Sequence, residues 1–415
     1  MKIRFLLCIS FITFLFSCGK QQEIAEVKDP TLEEATALAK KYIITDGHVD
    51  LPFRLVVQMF RFKKIMEDVS QKTDGNFDYV KAKEGGLDAP FMSIYIPSAR
   101  QKDGTAKVLA DSLIDIVENI TKEHPDKFAL AKKPEDIKAN FEKGLISLPM
   151  GMENGAPIME DLANVAYFYK RGIRYITLTH STDNQICDSS YDSTYTWNGL
   201  SPFGEKVVKE MNKVGIMVDV SHISDSTFYD VMKITKAPVI ASHSSSREFT
   251  PGFQRNMNDE MIKVLAQNGG VIQINFGSTF IDGALQEKSK ANRAKVRAYM
   301  EENNLAFGDS AMMAYAKQVN QENPPYSDVQ KVADHIDHVV KLVGIDHVGF
   351  GSDFDGVGDT LPEGLKDVAE YPNLILELLK RGYSEEDIEK ICYKNVFRVW
   401  SAVSEVASDL QKETA

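Results

Sequence analysis

Short apolar segments rich in β-branched and aromatic residues alternate with longer amphipathic segments along most of this chain. The short segments have the length and composition of strands, and the 3.6-residue periodicity between them predicts helices. Such alternation favours an α/β fold with a parallel sheet, and eight strands are the number that closes a (β/α)8 barrel. The predicted strands are Tyr42–Asp46, Phe91–Ile96, Leu145–Met150, Ile173–Thr179, Ile216–Val220, Pro238–Ser242, Val271–Phe276 and His347–Gly351. The clearest helical patterns are Ala106–Glu123, Met159–Tyr169, Phe203–Lys213 and Asp259–Gln267.

The strand and helix pattern runs through residues 41–415, which we interpret as one domain. An open doubly wound sheet is the structural alternative, but no glycine-rich phosphate loop follows the first strand, which disfavours a nucleotide-binding version. The charged stretch Thr279–Gln330 is predicted to be a helical insertion before the last strand. The formal net charge of −12 argues against nucleic acid or an anionic membrane surface as the main partner.

The N-terminus resembles a bacterial lipoprotein signal peptide. A basic n-region precedes the apolar run Phe5–Phe16, which is too short to span a bilayer, and Cys18 follows a small residue. The resemblance implies removal of residues 1–17 and diacylation of the Cys18 thiol; an ordinary signal peptide that contains a cysteine is the alternative. Residues 18–40 are predicted to form a tether and a lead-in helix. We therefore expect an exported, lipid-anchored protein of the bacterial cell envelope, at the outer membrane or the periplasmic face.

Only two of the four cysteines lie beyond the predicted lipidation site. Cys187 and Cys392 could form a disulfide, but nothing in the sequence pairs them. We therefore expect a fold that does not depend on a disulfide framework.

Histidines follow four of the predicted strands, at the ends where barrel active sites lie. His48 follows the first strand, and Asp50 shares its face in an extended chain. His180, His222 and His243 follow the fourth, fifth and sixth strands. Each continues the alternation of the apolar residues before it, which we expect to point into the barrel, so that the imidazoles face its mouth. A single histidine there is more often a core residue, but several buried imidazoles need partners, and a cluster of bound dications supplies them.

Carboxylates follow the third and eighth predicted strands. Glu153 could be an ordinary loop residue, or its two oxygens could bridge two cations. Asp353 or Asp355 could exchange a proton with a metal-bound water, and either could instead cap the next helix. The remaining histidines are interpreted as structural or surface residues: His124, His335, His338 and His347.

Together these motifs resemble the membrane (renal) dipeptidase family of zinc peptidases. They follow that family's order over nearly the whole predicted mature chain, and the ordered set is far more specific than any one of them. The loop from His243 to Arg255 varies in length, so Arg247 competes with Arg255 for the corresponding role. The insertion is longer than in the animal enzymes. The matching stretches are Asp46–Pro52, Gly151–Glu153, Leu178–His180, Asp219–His222, Ser242–Ser244, Arg255–Asn256, Gly351–Gly356 and Asn395–Val399.

The resemblance implies a (β/α)8 TIM barrel of the amidohydrolase type that holds two zinc ions. It implies that His48 and Asp50 bind one Zn²⁺, that His222 and His243 bind the other, and that Glu153 bridges them.

The resemblance also implies the activity: a hydroxide between the two zinc ions attacks the peptide bond of a free dipeptide. His180 and Arg255 correspond to residues that bind the substrate, and His180 also polarises the reacting carbonyl. Asp353 corresponds to the acidic residue that binds the substrate amine and relays a proton. A homodimer is a further expectation from the family.

Two other functions are consistent with the same residues. One is another amidohydrolase-type reaction, such as hydrolysis of a cyclic amide or a β-lactam. The other is a lipid-anchored barrel that binds a ligand without catalysis, although all five expected metal ligands are present. A serine or cysteine hydrolase is disfavoured because the sequence contains no Gly-x-Ser-x-Gly motif.

Overall fold

The computed structural model describes residues 29–62, 64–306 and 308–413. Strands and helices alternate through them, as predicted. The strands are β1 Ile44–Val49, β2 Leu87–Tyr95, β3 Phe128–Leu130, β4 Ile146–Leu148, β5 Met150–Glu153, β6 Ile173–Thr177, β7 Met217–Asp219, β8 Ile240–Ser244, β9 Val271–Ile274 and β10 Val348–Phe350. The α-helices are α1 Leu32–Lys41, α2 Leu51–Val57, α3 Tyr79–Gly85, α4 Ala99–Lys102, α5 Ala106–Glu123, α6 Pro134–Glu142, α7 Ala163–Arg171, α8 Pro202–Val214, α9 Asp225–Ile234, α10 Asp259–Gln267, α11 Ser278–Ile281, α12 Ala284–Glu302, α13 Ser310–Glu322, α14 Val329–Val343, α15 Tyr371–Lys380, α16 Glu385–Glu389 and α17 Asn395–Glu413.

Eight parallel strands form the barrel, in the order β1-β2-β5-β6-β7-β8-β9-β10. The chain after β10 closes it against β1, because Asp353 donates its N–H to the His48 carbonyl over 3.1 Å and Asp50 donates to the Phe354 carbonyl over 2.9 Å. The predicted (β/α)8 barrel is therefore confirmed, and the open doubly wound sheet is wrong.

The predicted third strand, Leu145–Met150, is divided in the structure. Its first part is β4, which pairs with β3 in a separate two-stranded sheet, and the barrel strand β5 begins at Met150. Pro149 lies between the two strands. Because proline has no N–H to donate to a ladder, it marks the point where the chain changes sheets.

The prediction of which strand residues face inward was wrong. Ile176 and Val218 pack with residues of the surrounding helices. Tyr175 and Met217, one residue earlier on each strand, instead belong to a cluster with Trp400 of α17. Helix α17 lies at the N-terminal ends of the strands, because Arg398 donates to the carbonyls of Gly269 and Asp346, just before β9 and β10. The interior near the mouth is polar, and the imidazoles reach it where the strands end or change register.

The stretch Thr279–Gln330 is mainly helical, as predicted, and comprises most of α11 together with α12 and α13. The last two form a hairpin in which the rings of Tyr299 and Tyr315 stack with centroids 4.0 Å apart. The Asn292 amide donates to Asn320 and to the Asn323 carbonyl, over 3.0 and 2.9 Å, which ties the two helices together.

The predicted lipidation site and signal peptide, Cys18 and residues 1–17, lie outside the described residues and stay predictions. In the described part of the chain, no helix combines the length and the apolar character needed to cross a membrane. Cys187 and Cys392 are both buried as free thiols, so the pairing left open by the sequence does not occur in this structure.

Candidate active site

Seven of the eight predicted site residues converge at the C-terminal ends of the barrel strands, and Arg255 joins them from a loop. His48 lies in β1, Glu153 is the last residue of β5, and His243 lies in β8. Three groups of their side chains have potential ligand atoms within 4.8 Å of one another. These groups are His48, Glu153 and His243; Glu153, His180 and His222; and His48, Asp50 and Asp353.

Glu153 is the centre of this arrangement because its two oxygens face different partners. Oε2 lies 3.4 Å from His48 Nε2, while Oε1 lies 3.0 Å from His222 Nε2 and 3.2 Å from His243 Nε2. Burial alone would raise the pKa of Glu153, but the nearby imidazoles of His48 and His180 and the hydrogen bonds from His222 and His243 bring it well below its usual range. Glu153 is therefore a carboxylate, with one oxygen available to each of two cations.

Tyr175 determines the tautomer of His48. Its hydroxyl donates to the Gly47 carbonyl over 3.0 Å, so the 2.8 Å contact with His48 Nδ1 requires that nitrogen to carry the proton. His48 Nε2 is then the nitrogen that faces Glu153 and Asp50, whose Oδ2 is 3.5 Å away, and its lone pair is available when a cation replaces the proton there. This nitrogen is completely buried and has no hydrogen-bond partner, which suits a metal ligand.

His243 is oriented in the same way, through Ser242 and Asp219. The Ser242 hydroxyl donates to Asp219 Oδ2 over 2.7 Å and accepts from His243 Nδ1 over 2.7 Å. The His243 Nε2 lone pair therefore faces Glu153. The His48 and His243 rings stack with centroids 3.8 Å apart. Gly47 permits this approach across the barrel, since a Cβ there would lie 2.2 Å from the Ser242 carbonyl oxygen.

His222 lies just beyond β7 in a left-handed backbone conformation, with a φ of 68°. Such a conformation is strained for a histidine, and strain of this kind is concentrated at functional sites. Its Nε2 lies 2.9 Å from His243 Nε2, and burial together with the charge of Arg255 lowers the pKa of His222 well below its usual value. For His243, burial together with His48 and Arg255 has the same effect. Both rings are therefore neutral and available as ligands.

Asp353 closes the side of the cluster next to Asp50. Its backbone is also left-handed, with a φ of 65°, and its Oδ2 accepts a 2.7 Å hydrogen bond from the Asn275 amide. Burial and the neighbouring carboxylates of Asp50 and Glu153 raise the pKa of Asp353 to about 7, although His48 opposes them. A Cβ at Gly356 would lie 2.1 Å from Asp50 Oδ2 and 2.3 Å from Asp353 Oδ1, so the two carboxylates enclose that position.

Arg255, and not Arg247, lies at the cluster. The Arg255 guanidinium is 3.0 Å from His222 Nε2 and donates to the Ser244 hydroxyl and the His243 carbonyl, each over 2.8 Å. Its Nε is buried without a partner. The alternative, Arg247, forms a two-bond ion pair with Asp225 over 2.8 and 2.6 Å.

Asp355 does not join the cluster and is a positioning residue for the chain after β10. Its Oδ2 is 3.2 Å from Arg54 Nε, its Oδ1 accepts the N–H of Asn76 over 2.6 Å, and its side chain is almost completely buried. These contacts match neither of the two roles predicted for Asp355, which were proton exchange and helix capping. The four histidines assigned structural or surface roles also lie elsewhere. They pair with Asp68 (His124), Ser246 and Ile281 (His335), Asp259 (His338) and Gly270 (His347).

A cavity of about 840 Å³ lies over the cluster. Asp50, Glu153, His180, His222 and Asp353 contribute to its lining. This volume lies within the range of small-molecule sites, which is about 300–1,000 Å³.

The convergent acceptor atoms fit a metal centre. Three imidazoles, those of His48, His222 and His243, direct Nε2 at one carboxylate, and two of them have their proton fixed on Nδ1 by a hydrogen bond. Nitrogen and carboxylate oxygen are the ligands that Zn²⁺ and similar dications bind. A parallel eight-stranded barrel with such a cluster at its C-terminal mouth defines a metal-dependent hydrolase of the amidohydrolase type.

Comparison with known proteins identifies the family to which the chain belongs. The family model for membrane dipeptidases, peptidase family M19, matches residues 32–414. An uncharacterised dipeptidase of Schizosaccharomyces pombe is 32% identical over 404 residues, which cover 94% of this chain and 88% of the yeast protein. The chain therefore belongs to the membrane dipeptidase family and is a metallo-dipeptidase. This excludes the non-catalytic binding barrel.

Solved structures share the fold. A probable dipeptidase from Pseudomonas aeruginosa superposes with a TM-score of 0.76 at 27% identity, covering 91% of this chain and 99% of that one. A metallopeptidase from Rhodobacter sphaeroides, solved with a phosphinate mimic of L-Ala-D-Ala, gives a TM-score of 0.69 at 23% identity, over 87% and 99% of the two chains. The second likeness bears on the fold alone.

Several residues that shape the site were not predicted from the sequence. Tyr175, Asn275 and Gly356 act through contacts with residues far away in the chain, which no local pattern reveals. Asp219 is the first residue of the motif Asp219–His222 and was given no role, although a carboxylate three residues before a predicted ligand was a usable signal. Arg293 of the insertion also lines the cavity.

Proposed function

We propose that this protein hydrolyses the peptide bond of free dipeptides at a centre of two zinc ions. His48 and Asp50 would hold one ion, His222 and His243 the other, and Glu153 would bridge them. The observation that carries the proposal is that the two oxygens of Glu153 face these two ligand sets separately, at 3.0 to 3.4 Å. When bound, zinc would polarise the substrate carbonyl and lower the pKa of a water from about 15.7 towards about 7.

The protein's own residues would position the substrate. His180 is next to the cluster, with Nε2 3.6 Å from Glu153 Oε1, and burial lowers its pKa, so that the neutral ring can donate to the carbonyl oxygen as charge develops there. Arg255 would pair with the terminal carboxylate, for which a planar guanidinium is suited.

Asp353 would handle the proton. Asn275 holds its Oδ2, which leaves Oδ1 on the side of Asp50 and Gly356 free to act. That oxygen would accept a proton from the attacking water and pass it to the leaving amine, and the same carboxylate would bind the free ammonium of the substrate. Groups that bind both ends of a short substrate favour dipeptides over longer peptides.

The test is the zinc content of the purified protein together with hydrolysis of dipeptides, tripeptides, a cyclic amide and a β-lactam, before and after chelation. We expect about two zinc ions per chain and dipeptide cleavage that chelation abolishes and added zinc restores. Two zinc ions with cleavage of only the cyclic substrates would move the activity to another amidohydrolase reaction. The variant Asp353→Asn should bind zinc and lose turnover; near-normal turnover would show that Asp353 is not the proton carrier.

A further inference from the structure

A smaller cavity opens beside the one over the candidate metal centre. Its volume is about 350 Å³, and we call it the side cavity. The two cavities share four lining residues, Tyr191, Thr279, Phe280 and Arg293, so they adjoin. One wall of the side cavity is aromatic, because Phe253 lies edge-on to Tyr191 and to Phe280 with ring centroids 6.1 and 5.8 Å apart. The opposite wall is helix α12 of the insertion.

The side cavity lies on the His222 side of the cluster. The ring of Tyr191 is 5.9 Å from that of His222, and the Arg255 guanidinium carbon is 5.6 Å from the centroid of Phe280. Arg255 is the residue proposed above to pair with the terminal carboxylate of the substrate. A side chain on that terminal residue would therefore be next to the side cavity.

Arg293 gives this cavity its charge. It is exposed, and no carboxylate of the described residues lies within 4.0 Å of it. The other cations that line the two cavities are engaged, Arg54 with Glu67 and Asp355, and Lys290 with Glu287 at 3.8 Å. A guanidinium that faces a cavity without a carboxylate partner is prepared to pair with a carboxylate from a ligand.

We propose that the side cavity binds the side-chain carboxylate of the C-terminal residue of the substrate, so that the enzyme prefers dipeptides ending in aspartate or glutamate. Arg293 supplies the charge-assisted hydrogen bonds. Gln286, about two helical turns before it on α12, supplies an amide whose Nε2 also donates to the Thr279 carbonyl over 3.0 Å. Glu287 is a carboxylate in the lining of the side cavity and would repel a substrate carboxylate. The ion pair that Glu287 forms with Lys290, at 3.8 Å, offsets this negative charge. This inference rests on the proposed function, because the orientation of the substrate follows from Arg255.

The experiment compares Ala-Glu with Ala-Gln, which differ in charge and hardly in shape. The ratio of their kcat/KM values is measured for the zinc-loaded protein and for Arg293→Gln and Lys295→Gln. Lys295 is a matched control, since it is an exposed cation of the same helix, about 200° around it from Arg293, and does not line either cavity. Binding of phosphinate mimics of the two dipeptides, measured by calorimetry, provides a readout that does not need turnover.

We expect the wild-type protein to favour Ala-Glu about tenfold, as a charge-assisted hydrogen bond would give, and Arg293→Gln but not Lys295→Gln to bring the ratio close to one. A ratio at or below one in the wild type, or one that Arg293→Gln leaves unchanged, overturns the proposal. If neither dipeptide is cleaved but the mimic of Ala-Glu binds better and depends on Arg293, the side cavity assignment stands and the proposed reaction fails. If the mimics bind equally, the side cavity assignment is wrong.

Discussion

The variant Gly356→Ala tests whether the spacing of Asp50 and Asp353 is needed for metal binding and turnover. A Cβ at this position would lie 2.1 Å from Asp50 Oδ2 and 2.3 Å from Asp353 Oδ1, whereas real Cβ contacts essentially never fall below 3.0 Å. The carboxylates would have to retreat by about 0.9 and 0.7 Å. Metal–ligand distances tolerate deviations of only about 0.2 Å, and a misplacement of about 1 Å costs roughly 100-fold in rate. We therefore expect kcat/KM for a dipeptide to fall about 100-fold, with weaker zinc binding.

The backbone does not confound this test, because Gly356 is not among the glycines with positive φ. The matched control is Gly349→Ala, also outside the left-handed region, whose nearest contact would be Gln273 Cγ at 3.3 Å. The assay is kcat/KM over a zinc titration, with the melting temperature measured in parallel. If Gly356→Ala retains zinc affinity and turnover within about threefold of the Gly349→Ala variant, the two carboxylates do not need their observed spacing, and the assignment of Asp50 as a ligand beside Asp353 is wrong.

Two further predictions concern residues around the barrel. Tyr175→Phe removes the acceptor that holds the proton on His48 Nδ1, so zinc affinity should fall about 10- to 100-fold with little change in melting temperature; unchanged affinity in a zinc titration would reject this role. Burial raises the pKa of Asp88 from 3.8 to about 7, so its contribution to stability is present below pH 3.8 and is lost as the pH rises to about 7. Asp88→Asn should therefore be more stable than the wild type at pH 8, by at most about 4 kcal/mol, and equally stable near pH 4; denaturant unfolding at both pH values measures the difference, and a gain that does not depend on pH would contradict the reasoning.

The fold and the members of the candidate site followed from the sequence because strand ends are local signals. Each of His48, His180, His222 and His243 lies at or just after a short apolar segment, and parallel barrel strands bring such ends together whatever the loops between them do. Local sequence could not decide between Arg255 and Arg247, because the decision depends on a contact between distant parts of the chain. Arg247 forms an ion pair with Asp225 on helix α9 and is therefore not available to the site.

The orientation of the strands could not be read from hydrophobicity. In this barrel the outer face carries the large aliphatic residues that pack on helices, while the inner face near the mouth carries Gly47, Gln273 and Gly351. Both faces are buried, so alternation of apolar and polar residues does not distinguish inside from outside. The glycines are there because a Cβ at Gly47 or Gly351 would lie 2.2 or 2.1 Å from the Ser242 carbonyl oxygen.

The buried carboxylates explain why cations would stabilise the candidate site. Asp50, Glu153 and Asp353 are all buried around His48, whose Nε2 is 3.5 Å from Asp50 and 3.4 Å from Glu153, and Arg255 is in contact with the cluster through His222. Burial lowers the pKa of His48, but Tyr175, Glu153 and Asp50 outweigh it and raise that pKa well above its usual value, so without bound metal this ring is charged. Three ionised carboxylates, one guanidinium and this imidazolium then leave one negative charge in excess, and uncompensated buried charge is strongly destabilising. The neutral imidazoles of His222 and His243 do not offset it but supply ligand atoms. Two dications would reverse the sign of the excess and leave the site positive, which suits a substrate that brings a terminal carboxylate and, in the side cavity, a second one.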